Sequence, residues 1–126
     1  MWGEPGTAYV YFTYGNHYCV NVVTEPEGTA GAILLRALEP VEGLDLMRAN
    51  RAVTEDRFLL SGPGRLTQAM GIGAHHNGVD LTQRPLYLAS GRKDPLPVKT
   101  SPRIGIRVAT SRPWRFYIAE SAFLSR

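Results

Sequence analysis

Residues 8–14, Ala-Tyr-Val-Tyr-Phe-Thr-Tyr, are aromatic or β-branched almost throughout, carry no charge, and run directly into Gly15-Asn16. Such side chains suit a pleated, half-buried surface, so the run predicts a strand. Its alternation places Tyr9, Tyr11 and Thr13 on one face and Val10, Phe12 and Tyr14 on the other. Gly15-Asn16 is a turn pair, and His17 to Val23 reads as a second strand, so the two should form a hairpin. The chain opens almost at once into this hydrophobic strand, with no earlier element to cover it.

Thr24 to Thr29 is polar and forms the next turn. Ala32 to Ala37 is predicted as a third strand, apolar enough to be central and buried on both sides. Glu39 to Gly43 ends the sheet segment. Leu44, Met47 and Asn50-Arg51 then follow helical spacing, which predicts a helix over about 42–52. Ser61 to Leu66 is a loop opening a short helix, Leu66 to Met70, with Gly71 and Gly73 as terminators. Residues 71–85 read as loop and turn, and Leu86–Ala89, Arg103–Val108 and Arg115–Ile118 as later strands. There is no internal repeat, low-complexity tract or linker. The expected class is α+β: a single domain with a curved, largely antiparallel β-sheet and a few short helices.

A chain of 126 residues fits one domain. No apolar run approaches the roughly 18 residues a membrane span needs, and no charged-then-apolar leader is visible. The lone cysteine, Cys19, can form no internal disulfide and sits among apolar residues, which predicts an inert buried thiol in a reducing compartment. The formal charge is +3, with arginine far outnumbering lysine. The guanidinium fork matches phosphate oxygens, so this balance suits a polyanion without proving one. His75-His76 is adjacent rather than at ligand spacing, and Gly71-Ile72-Gly73 lacks the third glycine of a dinucleotide loop. No metal or cofactor is therefore expected.

Three residue types stand out together: the hairpin tyrosines, the amide of Asn21 between two valines, and Arg36 within an apolar strand. A buried amide must be satisfied internally or be available to read a ligand edge. A buried arginine needs an anionic or hydrogen-bonding partner. Singly, each is explained by a satisfied structural residue. Jointly, they describe a pocket able to stack a flat base and hold a phosphate.

At these residues the chain resembles the alkyladenine DNA glycosylase family. The likeness runs through five ordered blocks: Tyr9 to Gly15 with Cys19-Val20-Asn21, Leu34 to Gly43, Ser61 to Ala69, Arg103 to Ile106, and Pro113 to Ile118. The resemblance implies a monofunctional DNA N-glycosylase of base-excision repair that flips alkylated purines, of the 3-methyladenine type, for hydrolysis. It implies that Tyr14 wedges into the duplex, replacing the stacking of the flipped nucleotide. Tyr11 would line the base pocket, and Asn21 would disfavour guanine by crowding its amino group. Arg36 would help hold the flipped nucleotide's backbone and the attacking water, and the Ile104 carbonyl would contact that water. Arg65 would meet a phosphate. Tyr9, Phe12, Tyr18, Cys19 and Ile106 are assigned to packing.

Hydrolysis needs a carboxylate to deprotonate water and stabilise the cationic sugar. In the family that glutamate lies upstream of the first block, so residues 1–126 are expected to form a partial glycosylase domain with the general base absent. Glu39 and Glu42 match positions without a catalytic role; Glu25, Glu27, Asp45 and Glu55 fall in turn or helical segments. The resemblance further implies double-stranded DNA containing alkylated bases as partner, no membrane, a monomer when intact, and a cytoplasmic, nucleoid-associated site in a bacterium or a nuclear one in a eukaryote. Two other readings stay open: a non-catalytic damaged-DNA-binding module, and an RNA-binding β domain.

Overall fold

The computed structural model describes residues 3–13, 15–91, 96–104 and 112–125. The alternating run folds as the predicted hairpin. Strand β1 (Ala8–Phe12) pairs antiparallel with β2 (Tyr18–Val23), setting Tyr9 opposite Asn21 and Tyr11 opposite Cys19. Asn16 takes a left-handed conformation in the turn, with φ 59°, and its N–H donates to the Thr13 carbonyl at 3.2 Å. Asparagine adopts that conformation more readily than most residues, which is why the Gly15-Asn16 pair can reverse the chain.

β3 (Ala32–Leu34) pairs with the other edge of β2, giving the order β1-β2-β3. This corrects the expectation of a central strand over Ala32–Ala37. Pairing stops at Leu34, Arg36 lies beyond it, and Ile33 is 59% exposed. β2 is the strand flanked on both sides, and Cys19, Val20, Asn21 and Val23 are all buried there. An apolar run shows that a strand can be buried, but not which strand has two neighbours.

The pleat sends Ala8, Val10 and Val20 to one face, where they meet Leu59, Leu60, Leu66, Ala69, Ile72 and Leu81 in a single core. Helix α1 (Leu44–Arg51) has no fully buried residue; its Met47 packs against that core, and the helix leans on helix α2 (Pro63–Met70). The Asn50 side-chain amide donates to the Ala69 carbonyl at 2.9 Å, joining the two. α2 starts before the predicted Leu66, because Pro63 at its first turn is already set in helical φ. Gly71 ends it with φ 69°, a left-handed cap that a Cβ would disfavour. The Thr67 hydroxyl, 1% exposed, donates to the Tyr18 carbonyl at 2.8 Å and fastens α2 to β2.

β1 would present an open edge on its far side, but residues 77–81 cover it. Ala8 N–H donates to the Val79 carbonyl at 2.9 Å, Gly78 N–H to the Ala8 carbonyl at 2.8 Å, and Val10 N–H to the Asn77 Oδ1 at 2.9 Å. A second, two-stranded sheet pairs β4 (Val98–Ser101) with β5 (Arg115–Ile118). β5 matches its predicted strand, whereas β4 was not foreseen. Leu86–Ala89 is not a strand; there the Leu88 N–H makes a single bond to the Leu81 carbonyl. Arg103 and Ile104 are also outside any strand, and the rest of that predicted element, including Ile106, lies outside the described residues. The class is α+β, with two α-helices and two antiparallel sheets among the described residues.

Candidate functional site

A cavity of about 950 Å³ opens where the hairpin turn, the start of α2 and the last described residues converge. Asn16 and His17 line it from the turn, Ser61 to Arg65 from the entry to α2, and Arg36, Ile104 and Ser125 from elsewhere in the chain. Gly62 caps α2 without any side-chain hydrogen bond, so the helix presents its positive end to this space. Arg65 is exposed, and its Nη1 donates to the Ser61 Oγ at 3.2 Å. Arg36 is half-buried, and its Nε donates to the Ser125 Oγ at 3.3 Å. Burial, and the neighbouring Arg115 guanidinium, lower the Arg36 pKa, yet an arginine so placed stays a cation. Among the described residues that line it, none is a carboxylate. The cavity is therefore electropositive, with two guanidinium groups and a helix N-terminus around it.

The face of the three-stranded sheet turned away from the core holds Tyr9 and Tyr11 on β1, with Cys19 and Asn21 directly opposite on β2. The two tyrosine rings are 5.4 Å apart, and Tyr11 is 38% exposed. Asn21, 8% exposed, donates through Nδ2 to the Tyr9 carbonyl at 3.1 Å, so the donor half of the amide is satisfied inside the sheet. Burial raises the Cys19 thiol pKa, while a hydrogen bond from Tyr11 and the Arg36 charge act in the opposite direction. The thiol is free and buried, as its apolar neighbours predicted. Burial also raises the Tyr11 hydroxyl pKa. Cys19 thus interacts with Tyr11 on its own face and also feels the charge of Arg36, which lines the cavity.

Of the residues singled out from sequence, the structure gathers Arg36, Arg65 and Ile104 around the cavity. Tyr11 and Asn21 share the adjoining sheet face but are not among its lining residues, and Tyr14 lies outside the described residues. Phe12, expected to pack, is 58% exposed and meets Tyr18 edge-on at 5.1 Å. His75 and His76 lie on a short 3₁₀ turn with rings 3.9 Å apart, and His76 Nδ1 accepts the Gly73 N–H at 3.1 Å. Sequence reasoning missed His17 and Ser125. His17 could have been noticed beside a turn with two glycine-rich neighbourhoods to pack on. Ser125 carried no local signal, because its partner Arg36 is 89 residues away.

This is the construction of a small α+β domain with a cationic cavity beside an aromatic sheet face. The family model for methylpurine-DNA glycosylase (MPG) matches residues 1–122. A relative from Prosthecochloris aestuarii, named "Putative 3-methyladenine DNA glycosylase", is 50% identical over 127 residues, covering 100% of this chain and 61% of its own length. A relative with the same name from Rhodopseudomonas palustris is 52% identical, covering 100% of this chain and 61% of its own length. Another so named, from Nitrosospira multiformis, is 47% identical over 100% of this chain and 65% of its own length. The chain belongs to the methylpurine-DNA glycosylase family, and it spans about three-fifths of the length of the curated relatives it matches. Among the described residues, no helix is long and apolar enough to cross a membrane.

Proposed function

We propose that the chain is the lesion-recognition part of a DNA N-glycosylase that removes alkylated purines of the 3-methyladenine type in base-excision repair. The observation that carries this reading is the cavity itself. It draws Arg36, Arg65 and Ile104 from three separate stretches of chain, has no carboxylate among its described lining residues, and adjoins the face bearing Tyr11 and Asn21. A space lined by cations is suited to the sugar-phosphate backbone of a duplex.

In this reading Tyr14 fills the gap left by the extruded nucleotide, and the base stacks on Tyr11. Such stacking contributes roughly 1–3 kcal/mol per base. Asn21, held by the Tyr9 carbonyl, turns its remaining amide edge against the amino group of guanine. Arg36 and the Ile104 carbonyl steady the nucleotide and the water, and Arg65 contacts a phosphate. Alkylation puts positive charge on the purine and makes it a good leaving group, so water attack at the sugar carbon needs one base and no cofactor. The general base is not assigned to any carboxylate of this chain. The protein acts as a monomer on chromosomal DNA, which in a bacterium means the nucleoid.

The test compares the 126-residue chain on alkylated or hypoxanthine-containing duplex, undamaged duplex and single-stranded RNA. Lesion duplex should be retained preferentially, with little release of base. Release at the rate of a full-length family member would overturn the assignment of the base elsewhere. Equal affinity for damaged and undamaged duplex, or a preference for RNA, would overturn the recognition role. Arg65→Ala should weaken binding to all duplexes alike and reduce the slope of log affinity against log salt by about 1.

A further inference from the structure

The His17 imidazole occupies a slot between two glycines from distant parts of the chain. A Cβ built on Gly15 would lie 2.3 Å from the ring Cε1, and one on Gly64 would lie 2.3 Å from Cδ2. Neither glycine is in the left-handed region, so it is space rather than backbone freedom that these positions supply. Gly64 is the more telling of the two. It sits inside α2, where glycine weakens a helix relative to alanine, and the ring is what fills the room its missing side chain leaves. The ring is also held by its polar edge: Nδ1 lies 2.9 Å from the Gly15 carbonyl, which can only accept, so Nδ1 carries the proton. Nε2 is then unprotonated in the neutral ring.

We infer that His17 is a positioning residue. It clasps the Gly15-Asn16 turn to the start of α2 and so sets the width of the cavity between turn and helix. Both walls that it joins line this cavity, with Arg65 one residue beyond Gly64 and Asn16 immediately before His17. The consequence for DNA rests on the functional reading above, in which the turn following Tyr14 and the Arg65 guanidinium engage the same duplex. Their spacing must match the spacing of groove and phosphate. An imidazole in close contact with both glycine positions keeps the two walls apart by the width of its ring, which a more flexible side chain would not do.

The experiment is a double-mutant cycle in the 126-residue chain with Gly64→Ala, His17→Ala and their combination, alongside His17→Phe. Unfolding midpoints, amide exchange at Asn16 and affinity for hypoxanthine-containing duplex are measured on each. In the unsubstituted background Gly64→Ala should lower the midpoint, speed Asn16 exchange and weaken duplex binding about tenfold. With His17→Ala already present, the same substitution should leave the midpoint unchanged or raise it, since alanine then only improves the helix. His17→Phe keeps a ring in the slot and should bind within about threefold of the unsubstituted chain. Additive effects of Gly64→Ala and His17→Ala would overturn the clasp. Coupled midpoints with unaltered Asn16 exchange and unaltered duplex affinity would reduce His17 to a packing residue and overturn its positioning role. If the unsubstituted chain fails to bind duplex at all, the functional reading falls by itself, and the clasp is decided by the coupling in midpoint and exchange.

Discussion

The two sheets are built from similar residue types and end in opposite conditions. In the first, β2 has a neighbour on each side and a helix against one face, and Val20 and Val23 are almost completely buried. In the second, β4 and β5 have only each other among the described residues, and Val98, Phe116 and Ile118 are 58%, 69% and 41% exposed. The core residues all come from positions 8–81. The β4–β5 ribbon is tied to the rest through polar contacts near the cavity, such as Arg115 Nη2 to the Ser125 carbonyl at 3.4 Å and Arg36 to the Ser125 Oγ. Strand formation and core membership are therefore separate matters. A valine or phenylalanine contributes burial energy only when a third element closes over it.

That contrast can be broken most sharply in the core. Leu66→Ala, at a side chain with 0% exposure, should lower the unfolding free energy by about 3 kcal/mol, while Phe116→Ala should change it by no more than about 0.5 kcal/mol. Comparable losses in chemical denaturation would place the ribbon in the core after all. Next is Thr67→Val, which keeps the shape but removes the hydroxyl bonded to the Tyr18 carbonyl, with the Gly64 carbonyl 3.0 Å away. A loss of about 1–2 kcal/mol in the same measurement is expected, and no loss would mean that packing alone seats α2 on the first sheet.

Asn77→Ala tests the covered edge of β1. It strips the acceptor from the Val10 N–H and should cost about 1 kcal/mol, with faster amide exchange at Val10 and unchanged exchange in β2. The smallest effect expected is that of pH. Burial and the neighbouring His75 hold the His76 pKa below its usual value, and its Nδ1 must be unprotonated to accept the Gly73 N–H. The unfolded chain therefore takes up this proton more readily than the folded one. The stabilisation is complete above the ordinary histidine value of about 6.5 and is lost as the pH falls below it. Tm should drop between pH 7.5 and 5.5, and the drop should shrink in His76→Gln. An unchanged drop would assign the slope to other groups.

Much of the first sheet was legible because its signals are local. Alternation over Ala8–Phe12, a turn pair, and a glycine after Met70 each act within a few residues, so the hairpin and the end of α2 fell where expected. β4 was not legible: Val98-Lys99-Thr100-Ser101 is short, mixed in polarity and bounded by Pro97 and Pro102, and it becomes a strand only because β5 pairs with it. The overextended third strand failed for the reverse reason: Leu35 still donates its N–H to the Val20 carbonyl of β2 at 3.1 Å, but Arg36 and Ala37 continue the run without strand pairing.

The candidate site divides in the same way. Sequence by itself determined the residue types, namely the tyrosine hairpin, Asn21 with its need for a hydrogen bond, and arginines at 36 and 65 suited to phosphate. Only the tertiary structure decided that Arg36, Arg65 and Ile104 border one cavity, that Asn21 spends its donor on Tyr9, and that His17 fills the room left by Gly15 and Gly64. Side-chain chemistry is a property of each residue taken alone. Proximity is set by how the buried faces of β1, β2 and α2 pack, and that depends on the whole chain at once.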